Sequence, residues 1–179
     1  MNYLCVSKYK DGDYLAEGFR RHFLKEKETK QLVIEIQQKT KIDIKTLYNT
    51  ELRLESAERK DLTLYLINDR PLMARKDNMI LPTLLFDDIL KFLPQVVVNM
   101  GAVPHVCNGA DVMAPGIVLI RGDFEKDSFV VVVDEKHQKP LAVGIALYDS
   151  EALKSMKQGK TIKTVHWVGD DLWQTLKKM

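Results

Sequence analysis

Beyond Pro94 the chain carries four short β-branched runs, QVVVN, GIVLI, FVVVV and LAVGIALY, each separated from the next by Gly, Pro or Asp. Side chains branched at Cβ are stiff and pack well on a pleated surface, and these runs are too short for ordinary helices. Their close spacing, with turn residues between, predicts a small barrel. A mostly β domain over residues 95–179 follows, with a domain boundary at Leu93–Gln95 and an α+β domain over residues 1–94.

The first domain reads as strand, helix and a mixed stretch. Asp13 is placed to cap a helix whose buried face is Leu15, Phe19, His22 and Phe23, ending near Lys25–Lys27. QLVIEI at Gln31–Ile36 is either a strand or the start of a second helix through Gln37–Thr40. LTLYLI, Asn68-Asp69 and PLMAR predict strand, turn and strand, because Asn and Asp tolerate left-handed turn conformations. Lys76-Asp77-Asn78 predicts a second turn. Thr83 is expected to cap a helix LLFDDILKFL, with Leu84, Leu85, Ile89, Leu90 and Leu93 inward and Pro94 as its stop.

In the second domain, Gly101 to Cys107 predicts a short helix between strands. Another is expected from Asp149-Ser150, with Ser150 as its cap and Gly159 at its end. KTVHWVG reads as the last strand, running to Asp170, with Trp173 closing the barrel. In the pair His166-Trp167 one side chain must face inward.

Composition narrows the function. With 45% hydrophobic and 29% charged residues the chain is globular. No apolar run approaches the roughly 20 residues of a membrane helix, and MNYLCVSKYKDGDY lacks the pattern of a signal peptide. Cys5 and Cys107 form no C-x-x-C motif and predict two reduced thiols in the cytoplasm. The formal charge of +2 falls short of a strongly basic nucleic-acid binder, so any such contact needs a local patch. Lys154, Lys157, Lys160 and Lys163 offer one, and Arg20, Arg21, Lys25, Lys27 and Lys30 another; either can equally be a solvated face.

Enzyme signatures are missing. The sequence holds no G-x-S-x-G, H-E-x-x-H or Walker loop, and Gly101–Gly109 opens no long helix of a βαβ unit. His105, His137 and His166 with Asp134, Asp170 and Asp171 carry no ligand or triad spacing, so neither catalysis, metal nor cofactor is expected. The segment NMGAVPHVCNGADVMAPGI is distinctive: two Gly-Ala pairs and a Pro-Gly sit among apolar side chains that want burial. Something approaches the backbone closely here, either the core or a ligand.

MGAVPHVCNGADVMAPGI, PLAVGIAL, SEALKSMKQGK and HWVGDDLW, in that order, resemble a PUA domain, an RNA-binding module. NDRPLMARKDNMILPTLLFDDILKFLPQVVVN is similar to the pre-PUA region of the malignant T-cell amplified sequence family, whose eukaryotic members work with density-regulated protein and resemble part of ligatin. Archaeal stand-alone PUA proteins are similar too. The likeness covers residues 65 to 173. It implies a non-catalytic, cytoplasmic, translation-associated protein that binds the acceptor end of tRNA or ribosomal RNA on the small subunit, in initiation or recycling. A density-regulated-protein-like partner would meet the N-terminal domain.

The resemblance also implies the RNA face: Gly101, Ala102, His105, Asn108, Gly109, Ala110 and Asp111, bordered by Lys157 and Lys160. Small residues there are expected to let backbone N–H groups reach phosphate oxygens. Asn108 and Asp111 can instead cap the adjacent turn, and Pro115-Gly116 is assigned to a turn alone. Two other roles stay open: an accessory of RNA modification, and a protein-interaction module with the PUA fold as spacer.

Overall fold

The computed structural model describes residues 14–15, 18–44, 53–85 and 87–179. Its first sheet is an antiparallel meander in chain order: β1 (Tyr14–Leu15), β2 (Phe19–Phe23), β3 (Leu54–Arg59), β4 (Leu62–Ile67), β5 (Arg70–Lys76) and β6 (Met79–Pro82). The two expected turns are present, and Asn68, Asp69, Asp77 and Asn78 all take positive φ. Helix α1 (Glu26–Thr40) covers this sheet with Leu32, Val33 and Ile36. Its start is fixed by the Lys25 N–H, which donates to Glu28 Oε2 at 2.8 Å. QLVIEI is therefore helical.

The expected helix around Phe19–Phe23 is instead β2. Phe19 and Arg21 are buried, Arg20 is exposed, and Phe23 is 38% exposed. The alternation of a strand was hidden in the sequence because its second inward residue is an arginine. Arg21 is buried against Glu55 and Asp69, which neutralise it. Asp13, the expected cap, lies outside the described residues, as does Cys5. Thr83 caps no helix: its hydroxyl donates to the Pro71 carbonyl at 2.5 Å, and the helix that follows, α2 (Asp87–Leu90), is a single turn.

The second sheet is less local. Its strands are β7 (Gln95–Val98), β8 (Val112–Met113), β9 (Ile117–Arg121), β10 (Phe129–Asp134), β11 (Pro140–Ala146) and β12 (Lys160–Trp167), ordered β8-β12-β11-β10-β7-β9 with β7 and β10 parallel. Helix α3 (Val103–Val106) and a 3₁₀ turn (Ala114–Gly116) flank β8; α4 (Ser150–Ser155) precedes β12, and α5 (Asp171–Lys177) follows it. Asp149, not Ser150, caps α4, accepting from the Ala152 N–H at 2.7 Å. The helix ends at Ser155, before Gly159.

FVVVV is a continuous apolar run because both of its faces are buried. Val130 and Val132 join Val96, Val98, Ala142 and Ile162 inside the barrel. Phe129, Val131 and Val133 turn the other way, with Val97, Val143, Leu172 and Leu176, into a second core shared with α1 and the first sheet. Each such valine contributes on the order of 1.5–3 kcal/mol of burial. Trp173 packs on this shared core, so it does not close the barrel; Trp167 is the tryptophan on the barrel side.

Candidate nucleic-acid interface

A groove of about 530 Å³ opens on the barrel surface. Helix α3 supplies Val106 and His105, with Ala102 just before it. The loop after α3 and strand β8 supply Ala110, Asp111, Val112 and Met113, and Gly116 and Lys160 complete the wall. The strand pairing explains the convergence: β8 pairs with β12, Lys160 opposite Met113, and so brings Lys160 to the mouth. Gly116 lies so near the floor that a Cβ on it would stand 3.2 Å from that of Ala102.

Of the residues named from sequence, Ala102, His105, Ala110, Asp111 and Lys160 line this groove together. Asn108 is exposed on the adjoining loop, Gly101 precedes α3, and Lys157 is exposed between α4 and β12. Gly109 is different. It has φ +81°, and a Cβ there would come within 2.7 Å of the Trp167 ring. Its missing side chain makes room for the protein's own tryptophan rather than for a ligand.

The expected open backbone amides are also engaged. Gly109 N–H donates to the Val106 carbonyl at 2.9 Å, and Asn108 and Ala110 N–H donate to the His105 carbonyl at 3.1 and 3.0 Å. Ala102 N–H donates to Asn99. A four-residue helix followed by a tight turn must satisfy its ends internally. Those N–H groups are therefore not free to receive an anion at this face.

The electrostatics of the mouth centre on Asp111. Its Oδ2 pairs with Lys160 Nζ at 2.6 Å, and its Oδ1 accepts from the Thr164 N–H at 2.8 Å. Burial works to raise this carboxyl, and the bonds from Lys160 and Thr164 outweigh it, holding it below the usual range. Asp111 thus fixes the β8–β12 junction and aims Lys160. Lys163 also lowers the Asp111 carboxyl through space. Met113, Val112, Val106 and Gly116 were missed from sequence: the first three read there as apolar side chains that want burial, and Gly116 as part of a turn.

The other titratable groups have structural work. Asp134 accepts backbone N–H bonds from His137, Lys136 and Lys139, which hold its carboxyl low. His166 is fully buried and bonds Asp170. Burial raises the Cys107 thiol. No group of three or more potential metal ligands occurs among the described residues, and no described helix is long and apolar enough to cross a membrane.

A curled sheet with short inserted helices defines a PUA-type module. Residues 94–168 match the PUA domain family, and residues 20–92 match a domain of unknown function, DUF1947. An uncharacterized protein of Methanocaldococcus jannaschii is 38% identical over 157 residues, 86% of this chain and 95% of that one. Translation machinery-associated protein 20 of Schizosaccharomyces pombe is 34% identical, covering 64% of this chain and 67% of that protein. The crystal structure of a hypothetical protein from Pyrococcus horikoshii superposes with a TM-score of 0.72 at 34% identity, over 87% of this chain and 99% of the other. The chain belongs to the family of stand-alone PUA proteins that includes translation machinery-associated protein 20 and the malignant T-cell-amplified sequence proteins.

Proposed function

We propose that this chain is a non-catalytic, cytoplasmic RNA-binding protein of translation, and that its groove takes the single-stranded acceptor end of tRNA on the small ribosomal subunit. The observation that carries this reading is the groove itself: an apolar floor of Ala102, Val106, Ala110 and Val112, with Lys160 at its mouth and Lys157 and Lys163 in the same basic segment. Unstacked bases bury a flat apolar face, whereas duplex RNA presents mainly phosphates and 2′-hydroxyls. Lysines without rigid bidentate geometry supply sequence-independent phosphate attraction. Asn108 and His105, both exposed, would contact base edges or ribose. The family membership supports translation as the setting.

The pre-PUA half, residues 1–94, would supply the second docking surface, toward ribosomal RNA or a partner resembling density-regulated protein. The test compares binding of a tRNA acceptor-stem hairpin ending in unpaired nucleotides with that of its blunt-ended form. The reading requires tighter binding of the first and steep salt dependence for both. Equal affinity for the two ends would sink the groove as the site.

A further inference from the structure

His166 is completely buried in β12, and its two ring nitrogens have different partners. Nδ1 lies 2.7 Å from Asp170 Oδ2, while the Leu84 N–H points at Nε2 from 3.3 Å. A backbone N–H can only donate, so Nε2 accepts and the ring carries its hydrogen on Nδ1. Leu84 lies in the pre-PUA half, just past β6. This is a buried polar bond across the seam of a largely apolar shared core.

Asp170 serves several partners at once. Its Oδ2 also accepts from the Trp167 N–H at 3.1 Å, and its Oδ1 accepts from the Trp173 N–H at 2.7 Å at the start of α5. Trp167 in turn presses its ring against Gly109 so closely that no Cβ fits between them. Gly109 sits in the loop whose next residues, Ala110 and Asp111, wall the groove. A continuous path of short contacts therefore runs from Leu84, through His166, Asp170 and Trp167, to the groove. Apolar packing alone could hold the two halves together; a bond with this directionality also sets how they sit.

We propose that His166 is a positioning residue that sets the RNA groove according to the docking of the pre-PUA half, acting through Asp170, Trp167 and Gly109. The proposal rests on the groove being the RNA site. His166→Asn keeps a donor for Asp170 and loses the reach to Leu84, whereas His166→Gln places an acceptor near the old Nε2. In the full chain, His166→Asn should shift the Gly109 amide and Trp167 indole resonances. It should weaken binding of a tRNA acceptor-stem hairpin about fivefold, the lower end of ordinary coupling between sites. The dependence on salt should stay unchanged, because no phosphate contact is lost, and His166→Gln should restore most of the affinity.

Unmoved Gly109 and Trp167 signals in folded His166→Asn overturn the proposal, as does an affinity loss accompanied by a lower salt slope. If that variant does not fold, the wild-type chain decides. Saturation with the hairpin must move the buried Leu84 amide, and a stationary Leu84 signal refutes the coupling. If the wild-type chain binds no hairpin, the RNA reading fails, and the Gly109 and Trp167 signals of His166→Asn, or of His166→Gln if the first does not fold, still decide whether the path exists.

Discussion

The two sheets are built on opposite plans. The first runs in strict chain order, so each strand pairs with its sequence neighbour, and its interior holds ions: Arg21 with Glu55 and Asp69, and at its margin Arg75 in a two-pronged bond to Glu35 at 2.6 and 3.0 Å. The second brings β7 beside β10 and β8 beside β12, and its barrel core is built mainly of aliphatic side chains. A meander brings together distant parts of the chain mainly through its stacking partners. Crossovers gather remote loops at one place, and the groove, made from residues 102–116 and Lys160, forms at such a place. Charge in the first sheet is buried in its interior, whereas in the second Lys160 stands at the mouth of the groove.

The sharpest way to break this contrast is Arg21→Met. Removing one member of a buried ionic cluster leaves Glu55 unpaired and should destabilise the chain by about 3–5 kcal/mol. Urea unfolding measures it, and a loss below about 1 kcal/mol would mean that the cluster is no more than a surface pair. Next is Gly109→Ala, expected to cost about 3 kcal/mol from left-handed strain and the clash with Trp167. If the melting temperature is unchanged, the glycine faces a ligand after all, not the tryptophan.

Asp170→Asn should cost about 2 kcal/mol at neutral pH, the scale of charge-assisted hydrogen bonds. Burial pushes the Asp170 carboxyl up, but His166 and the N–H groups of Trp173 and Trp167 hold it below the ordinary value. A depressed carboxyl stabilises above its unfolded pKa, near 4, and the contribution is lost as pH falls through the lower folded value. Urea midpoints of wild type and variant should therefore converge below about pH 4; a gap that stays constant down to pH 2.5 contradicts this assignment. The smallest stability change belongs to Lys157→Ala with Lys160→Ala, within about 0.5 kcal/mol. The same pair should lower the slope of log affinity for tRNA against log salt by roughly 0.7 per lost contact. An unaltered slope would move the RNA surface off this rim.

Much of the second half was legible from its residues. Its β-branched runs became strands, GAVPHVC became a short helix, and the turn at Pro115-Gly116 is a 3₁₀ turn. The first half misled at β2, because Phe19, His22 and Phe23 fall by chance at helical spacing while the true inward pair is Phe19 and Arg21. No local pattern announces that an arginine will be buried when its partners arrive from Glu55 and Asp69. At the groove, small residues mark close approach, but what approaches Gly109 is Trp167, a partner far along the chain. The lining by Val112 and Met113 depends on the β8–β12 pairing, and that register is a property of the folded sheet.

The shared core also bears on the order in which the chain is made. It takes in side chains from Phe19 through Leu176. The meander can pair its strands as soon as residue 82 has been synthesised, yet the valines of β10 and the leucines of α5 that cover its apolar face come much later. During synthesis α1 can cover part of the sheet, and the part that β10 and α5 cover stays open until they emerge, a surface prone to premature association. The last helix, rather than the last strand, ends that exposure.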